Sequence, residues 1–454
     1  MNSCSFPFFT FAAVIFLRCL SSTEAAVCHP DDEAGLLAFK SGITGDPSGI
    51  LSSWKKGTDC CSWNGITCLP GGRVTRLVVE GSSVIAGSFL SGTISPSLAK
   101  LQHLQDIRFT NLEKITGSFP QFLFQLPKLK DVYIQNNRLS GPLPANIGAL
   151  SQLELFIIDG NQFSGPIPHS ISNLTRLFQL NLGRNRFSGA IPDIFKSMTQ
   201  LQYLELPNNK LSGKLPPSLA SLAPTLRWLD LGKNHLSGTI PDYLFRFKEL
   251  FTLHLSTNQF SGVVPKSSTR LTNLNDLDLS HNLLTGPFPD LKVKDIRIVD
   301  LSYNQFQLKT IPKWVTSSQL LYSLKLAKCG IIMRLDDWKA VSTFGYSYID
   351  LSENEITGSP EKLLNQANQL LVFKASGNKL RFDMGQLNFN NSLSTLDLSR
   401  NFVFGKVTAT VATLEELNLS HNHLCGKLPA TKFQANAFTG NDCLCGSPLS
   451  PCKA

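Results

Sequence analysis

Residues 129–144 read LKDVYIQNNRLSGPLP. Within them Leu129, Val132 and Ile134 stand at inward spacing, Asn137 follows, and Leu139 to Pro144 close the unit. The frame returns with Asn161, Asn185, Asn209, Asn234, Asn258, Asn282 and Asn304. Cys329 fills one turn, and the frame resumes at Asn354, Asn378, Asn401 and Asn422. A period of about 24 residues sustained this far describes one solenoid, in which each coil packs only on its neighbours. It overrides the roughly three domains that 454 residues would otherwise suggest.

Each position in the unit has a physical task. The alternation of aliphatic and polar residues suits a short strand with one buried face. The Asn side chain both donates and accepts, so stacked coils can use it to satisfy backbone groups left open at a tight turn. Cys329 is read as a small buried thiol at the same rung. A Gly-x-x-Pro step begins at Gly117, Gly141, Gly165, Gly189, Gly213, Gly238, Gly262, Gly286 and Gly426. Gly permits the turn and Pro fixes the returning segment. The step is missing between Gly286 and Gly426, and residues 305–345 are the least regular.

Composition excludes several classes. With 42% hydrophobic and 17% charged residues the chain is not disordered, and its Gly are not spaced as in collagen. The net charge of +9 lies wholly in residues 111–330, which hold 23 Lys and Arg against 14 Asp and Glu. Such an excess suggests an acidic partner. There is no phosphate-cradling Gly loop, no HExxH and no convincing Ser/His/Asp set. His421-Asn422-His423 is a weak metal signal, because a ladder Asn between them would turn the two rings apart.

Residues 1–25 read as a cleaved secretory signal: Phe6–Leu17 is an apolar run and small residues precede a cut after Ala25. Four cysteines then cluster early (Cys28, Cys60, Cys61, Cys68) and four late (Cys425, Cys443, Cys445, Cys452). Even clusters in an exported chain read as disulfide-stapled caps. The adjacent Cys60-Cys61 and the Cys443-x-Cys445 step fit a zinc knuckle poorly. The expected organisation is a cap over 26–73, about fourteen coils over 74–424 and a cap over 425–454. Neither a metal, a cofactor nor a later membrane span is expected.

The LSGxIP signature, as in Leu139–Pro144 and Phe163–Pro168, resembles that of plant extracellular leucine-rich-repeat proteins. So do the Cys60–Cys68 segment CCSWNGITC and the Phe438–Cys452 segment. Among them the chain looks most like polygalacturonase-inhibiting proteins. The resemblance implies an α/β repeat fold, a right-handed leucine-rich-repeat solenoid. Its parallel sheet lines the concave face, its convex returns are helical or irregular, and disulfides cap both ends. It also implies the pairs Cys28–Cys60, Cys61–Cys68, Cys425–Cys443 and Cys445–Cys452. The chain departs from the inhibitors in having more coils and irregular ones after Gly286.

About fourteen strands at roughly 4.8 Å make a sheet about 65 Å long with one open face. Its outward positions need not serve the core. They carry Phe178, Tyr203, Trp228 and Phe251 on successive coils, with Tyr133 nearer the N-terminal cap and Arg184 and Arg227 close by. Large aromatics on an open face call for a cover, and Trp, Tyr and Arg dominate interface energetics. Beside them runs an acidic row of Glu205, Asp230, His254, Asp278 and Asp300, continued by Asp350 and Asp397. An open face lacks the water-excluding pocket that glycoside cleavage by paired carboxylates needs. Asn173, Asn390 and Asn418 are glycan acceptors by pattern.

The resulting expectation is a secreted, non-enzymatic recognition protein of the cell wall or apoplast. It would bind a protein on its concave face, with inhibition of a wall-degrading polygalacturonase in plant defence as the implied role. The alternative is an ectodomain-like signalling component that binds a peptide or a receptor kinase. The basic middle could also hold acidic pectin by a salt-sensitive contact. Nucleic acid is not expected as a partner.

Overall fold

The computed structural model describes residues 27–82, 87–339, 345–389 and 392–453. The signal reading of residues 1–25 and the acceptor Asn390 lie outside them. Each coil contributes one short strand to a long sheet of 16 strands, all parallel except the cap strand Ile66–Cys68. Registry is one-to-one: Leu180, Leu204, Leu229, Leu253 and Leu277 stand opposite one another on successive strands. All five are at most 2% exposed and belong to one core that runs the length of the solenoid. The repeating inward aliphatics therefore build a continuous core from units that could not bury it singly. The parallel ladder already begins at Val74–Glu80, next to the N-terminal cap.

The asparagine ladder forms as its chemistry requires. Asn209 Nδ2 donates to the carbonyls of Leu182, Leu206 and Pro207 at 3.0, 3.2 and 3.2 Å. Its Oδ1 accepts from the Phe187 amide at 2.9 Å. One side chain thus ties two coils together. At the cysteine rung, the Cys329 thiol points to the carbonyls of Leu301 and Ala327 at 3.3 and 3.5 Å. Burial pushes that thiol's pKa far up. The ladder extends into the C-terminal cap, where Asn441 takes the next rung between Leu419 and Leu424.

Two features of the coil were not foreseen. The residue before the rung adopts left-handed backbone even where it is not glycine, as at Arg184, Lys233 and Thr257 (φ +50°, +54° and +54°). The SG segment of each regular coil also forms a strand. These strands make a second sheet of 11 strands from Ile43–Gly45 to Gln305–Phe306. Its glycines hold φ between +76° and +86° from Gly141 to Gly286, a region a side chain would strain. Short 3-10 turns such as His169–Asn173 and Pro217–Leu222 cover the remaining side. After Phe306 the second sheet breaks into short pieces, within the stretch that lacks the Gly-x-x-Pro step.

The caps close with the four disulfides that the resemblance implied: Cys28–Cys60, Cys61–Cys68, Cys425–Cys443 and Cys445–Cys452. Among the described residues the one trio of close candidate metal ligands is Cys28, Cys60 and Cys61, and all three are in disulfides. In the N-terminal cap, helix Pro30–Ser41 buries Asp32 completely. Asp32 accepts from Arg73 Nη2 and Nε at 2.9 and 3.1 Å and from the Val74 amide at 2.8 Å. Among the described residues, no helix is long and apolar enough to cross a membrane.

Candidate functional site

Registry sorts the open face of the long sheet into rows. Just ahead of the strands, Phe178, Gln202, Arg227, Phe251 and Asn275 follow one another through backbone bonds of 2.8–2.9 Å. The first strand position carries Gln179, Tyr203, Trp228, Thr252 and Asp276. The third carries Asn181, Glu205, Asp230, His254, Asp278 and Asp300.

The aromatic residues meet where the first two rows run together. Phe178 packs on Tyr203 with ring centres 5.3 Å apart. Tyr203, Arg227, Trp228 and Phe251 line an open depression of about 590 Å³, rimmed by Glu249, Lys294 and Asp295. Phe251 is 47% exposed. Thr252 stands opposite Trp228 on the next strand and is 0% exposed; Trp228 Nε1 and Thr252 Oγ1 are both buried without a hydrogen-bond partner among the described residues.

A second depression of about 340 Å³ lies alongside, on the third row. Glu205, Asp230, Asp278, His254 and Arg184 line it. Glu205 accepts from Gln179 Nε2 at 2.8 Å and Asn181 Nδ2 at 3.2 Å. Burial, and then the negative neighbours Asp230 and Asp159, push its pKa up. Burial also raises Asp230, against the Gly232 amide and the His254 charge that favour its ionised form. Part of this row serves its own turns: Asp230, Asp278, Asp300, Asp350 and Asp397 each accept the amide two residues on, at 2.9–3.0 Å.

Two residues grouped with the aromatic cluster sit elsewhere. Tyr133 shares the row of Glu205, coils nearer the N-terminus, and carries the Arg108 guanidinium 4.1 Å over its ring. Strand periodicity could not separate the first outward position from the third. Arg184 lies in the turn after its strand and pairs with Asp159, so it faces the acidic depression rather than Arg227. The acceptor Asn173 is exposed at the end of a 3-10 turn. Asn418 stands on the open face, where its Oδ1 accepts from Ser420 N and Oγ at 3.2 and 2.8 Å.

Sequence reasoning missed a further patch on the same face. Tyr322 and Leu371 are 53% and 46% exposed, and Tyr348 stands opposite Val372 in register. The Lys325 ammonium lies 5.2 Å from the Tyr348 ring. The signal was present as aromatic and aliphatic residues at outward positions of the irregular coils, but the weak repeat hid the register there.

Comparisons agree with this architecture. The leucine rich repeat N-terminal domain profile matches residues 29–69. Leucine rich repeat profiles match 151–211, 175–236, 224–284 and 413–431. A DNA damage-repair/toleration protein, DRT100, of Arabidopsis thaliana is 32% identical over 142 residues, 29% of this chain and 38% of that protein. Polygalacturonase inhibitor 2 of the same plant is 33% identical over 111 residues, 23% of this chain and 34% of the inhibitor. The matches thus span little more than a third of those relatives. Among solved structures, the plant peptide hormone receptor RGFR1 in complex with RGF2 superposes with a TM-score of 0.65 at 28% identity. That superposition covers 78% of this chain and 57% of the receptor chain. The chain folds as a leucine-rich-repeat solenoid and is similar over part of its length to plant polygalacturonase inhibitors.

Proposed function

We propose that this chain is a secreted recognition protein without chemistry of its own, which binds a protein partner on the open face of the long sheet. The observation that carries the reading is the pair of depressions around Trp228. One is aromatic with an arginine, and the other is acidic. The core does not need these side chains outside, and aromatic and Arg anchors dominate binding energy. The acidic depression would select a basic segment of the partner and speed its approach. Similarity to polygalacturonase inhibitors supports a wall-degrading polygalacturonase as the partner class and the apoplast as the location. A polygalacturonase assay with and without the protein tests this; full enzyme activity at saturating protein would reject the inhibitor role.

A second reading is favoured by the patch at Tyr322, Tyr348 and Leu371, together with the likeness to a peptide hormone receptor. In it the chain is an ectodomain-like signalling component whose open face holds a peptide or a receptor kinase. Lack of inhibition, together with capture of a receptor kinase from wall and membrane extracts, would decide for this reading.

A further inference from the structure

Exposed apolar side chains are unevenly spread over the flank that carries the second sheet. From Leu90–Thr93 to His235–Thr239 its strands show no large exposed apolar residue among the described residues. From the Asn258 coil onward Val263, Leu283, Ile332, Phe402 and Phe404 stand out to solvent, Ile332 at 61%. All five lie on this flank. Val263 and Leu283 belong to strands Gln259–Val263 and Leu283–Gly286. The Ile332 amide donates to the Lys309 carbonyl, beside the Lys309–Ile331 bridge, and the Phe402 and Phe404 amides donate to Leu380 and Phe382. Apolar residues scattered singly mean little, whereas several gathered on one side mark a contact surface.

Their order along the solenoid is symmetric. Val263 follows rung Asn258, Ile332 follows rung Cys329, and Phe402 and Phe404 follow rung Asn401. The rungs between are Asn282 and Asn304 on one side and Asn354 and Asn378 on the other. The Ile332 coil therefore stands midway between the two apolar ends. The charges share that centre. The coil before Ile332 carries exposed Lys309, and the coil after it carries exposed Glu355. On the central coil Arg334 pairs with Asp336 at 3.2 Å, so both signs are present there.

We propose that this flank is the contact surface of a symmetric dimer, with a second copy of the chain as its occupant. A two-fold interface presents one patch to itself, so that residue i meets j and j meets i. A two-fold axis along the strands at the Cys329 coil runs the two solenoids antiparallel. It sets Ile332 against Ile332, Val263 against Phe402 and Phe404, and the coil of Lys309 against that of Glu355. Arg334 of each copy then lies on the same coil level as Asp336 of the other. Leu283 meets the coil of Lys379, whose methylene stem covers apolar surface while its charge stays in water. A patch apolar at one end alone would suit an unrelated protein; one that matches itself end to end suits its own copy. The open face belongs to the other sheet, so both copies keep Trp228 free and the dimer offers two linked sites.

The test is sedimentation equilibrium of residues 26–454 at rising concentration, with a short bismaleimide as thiol cross-linker. A dimer is expected. Ile332→Asp should weaken it at least about tenfold, because the new charge meets its own copy across the axis. Ile332→Cys should cross-link to itself. Val263→Cys and Phe404→Cys should cross-link to each other when mixed, and far less when each is alone. Cys329 is buried and does not compete. Trp228→Ala should dimerise as wild type, which separates this contact from binding on the open face. A monomer at every concentration, a dimer that Ile332→Asp leaves intact, or self-linking of Val263→Cys as strong as its linking to Phe404→Cys would overturn the proposal. So would loss of the dimer in Trp228→Ala, which would place the contact on the open face.

Discussion

The Trp228 indole meets the His254 imidazole edge-on, with ring centres 6.0 Å apart. This contact joins the aromatic depression to the acidic one, so the two act as one surface. His254 Nε2 lies 3.0 Å from Asp276 Oδ1, and Nδ1 lies 4.0 Å from Asp230 Oδ2.

That geometry makes stability depend on pH. Burial disfavours the His254 cation, but the Asp276 carboxylate at ion-pair distance and the charges of Asp230 and Asp278 outweigh it, and the pKa is raised. A group with a raised folded pKa contributes fully below its unfolded pKa, and the contribution is lost as pH rises through the folded value. Glu205, Asp230 and Asp300, raised mainly by burial, act with the same sign. The melting temperature should therefore fall from about pH 5 to about pH 8. His254→Gln should flatten that slope; parallel profiles for the two proteins would contradict the assignment.

The ladder makes a second prediction. Asn209→Ala leaves the Phe187 amide without its acceptor, while the carbonyls of Leu182, Leu206 and Pro207 keep Asn185 Nδ2, Asn234 Nδ2 and the Arg184 amide as donors. The variant should lose about 1–3 kcal/mol for the one buried amide left unsatisfied, read as a lower midpoint in urea. A midpoint equal to wild type would show that the rungs are dispensable.

The N-terminal cap rests on Asp32 and Arg73. Removing one partner of a buried ion pair strands the other charge, so Asp32→Ala should destabilise by about 3–5 kcal/mol. Because Asp32 also holds the Val74 amide, the loss should expose the first parallel strand. Hydrogen exchange at 74–80 that stays as slow as in wild type would refute this.

The repeat, the ladder and the cap pairing were legible because each rests on residues at fixed spacing or on motifs carried by the family resemblance. The second sheet was not, since Ser-Gly reads as a turn until neighbouring coils pair its backbone. Left-handed Thr257 was equally hidden: a β-branched residue is a poor choice for that conformation, and only the stacked coils hold it there. Asp32–Arg73 spans 41 residues outside the period. At the site, the face of the sheet could be read from alternation, but the row could not. Hence Tyr133 and Arg184 were grouped with Trp228, while the register puts Tyr133 against Arg108 and Arg184 against Asp159.

Trp228 stands at the centre of the proposed binding surface and is not part of the solenoid core. The direct measurement is partner affinity of wild-type and Trp228→Ala proteins, with polygalacturonase or the captured receptor as ligand and melting followed in parallel. The account predicts at least about 2 kcal/mol of lost binding energy with a melting temperature close to wild type. Undiminished affinity in a folded variant would contradict it.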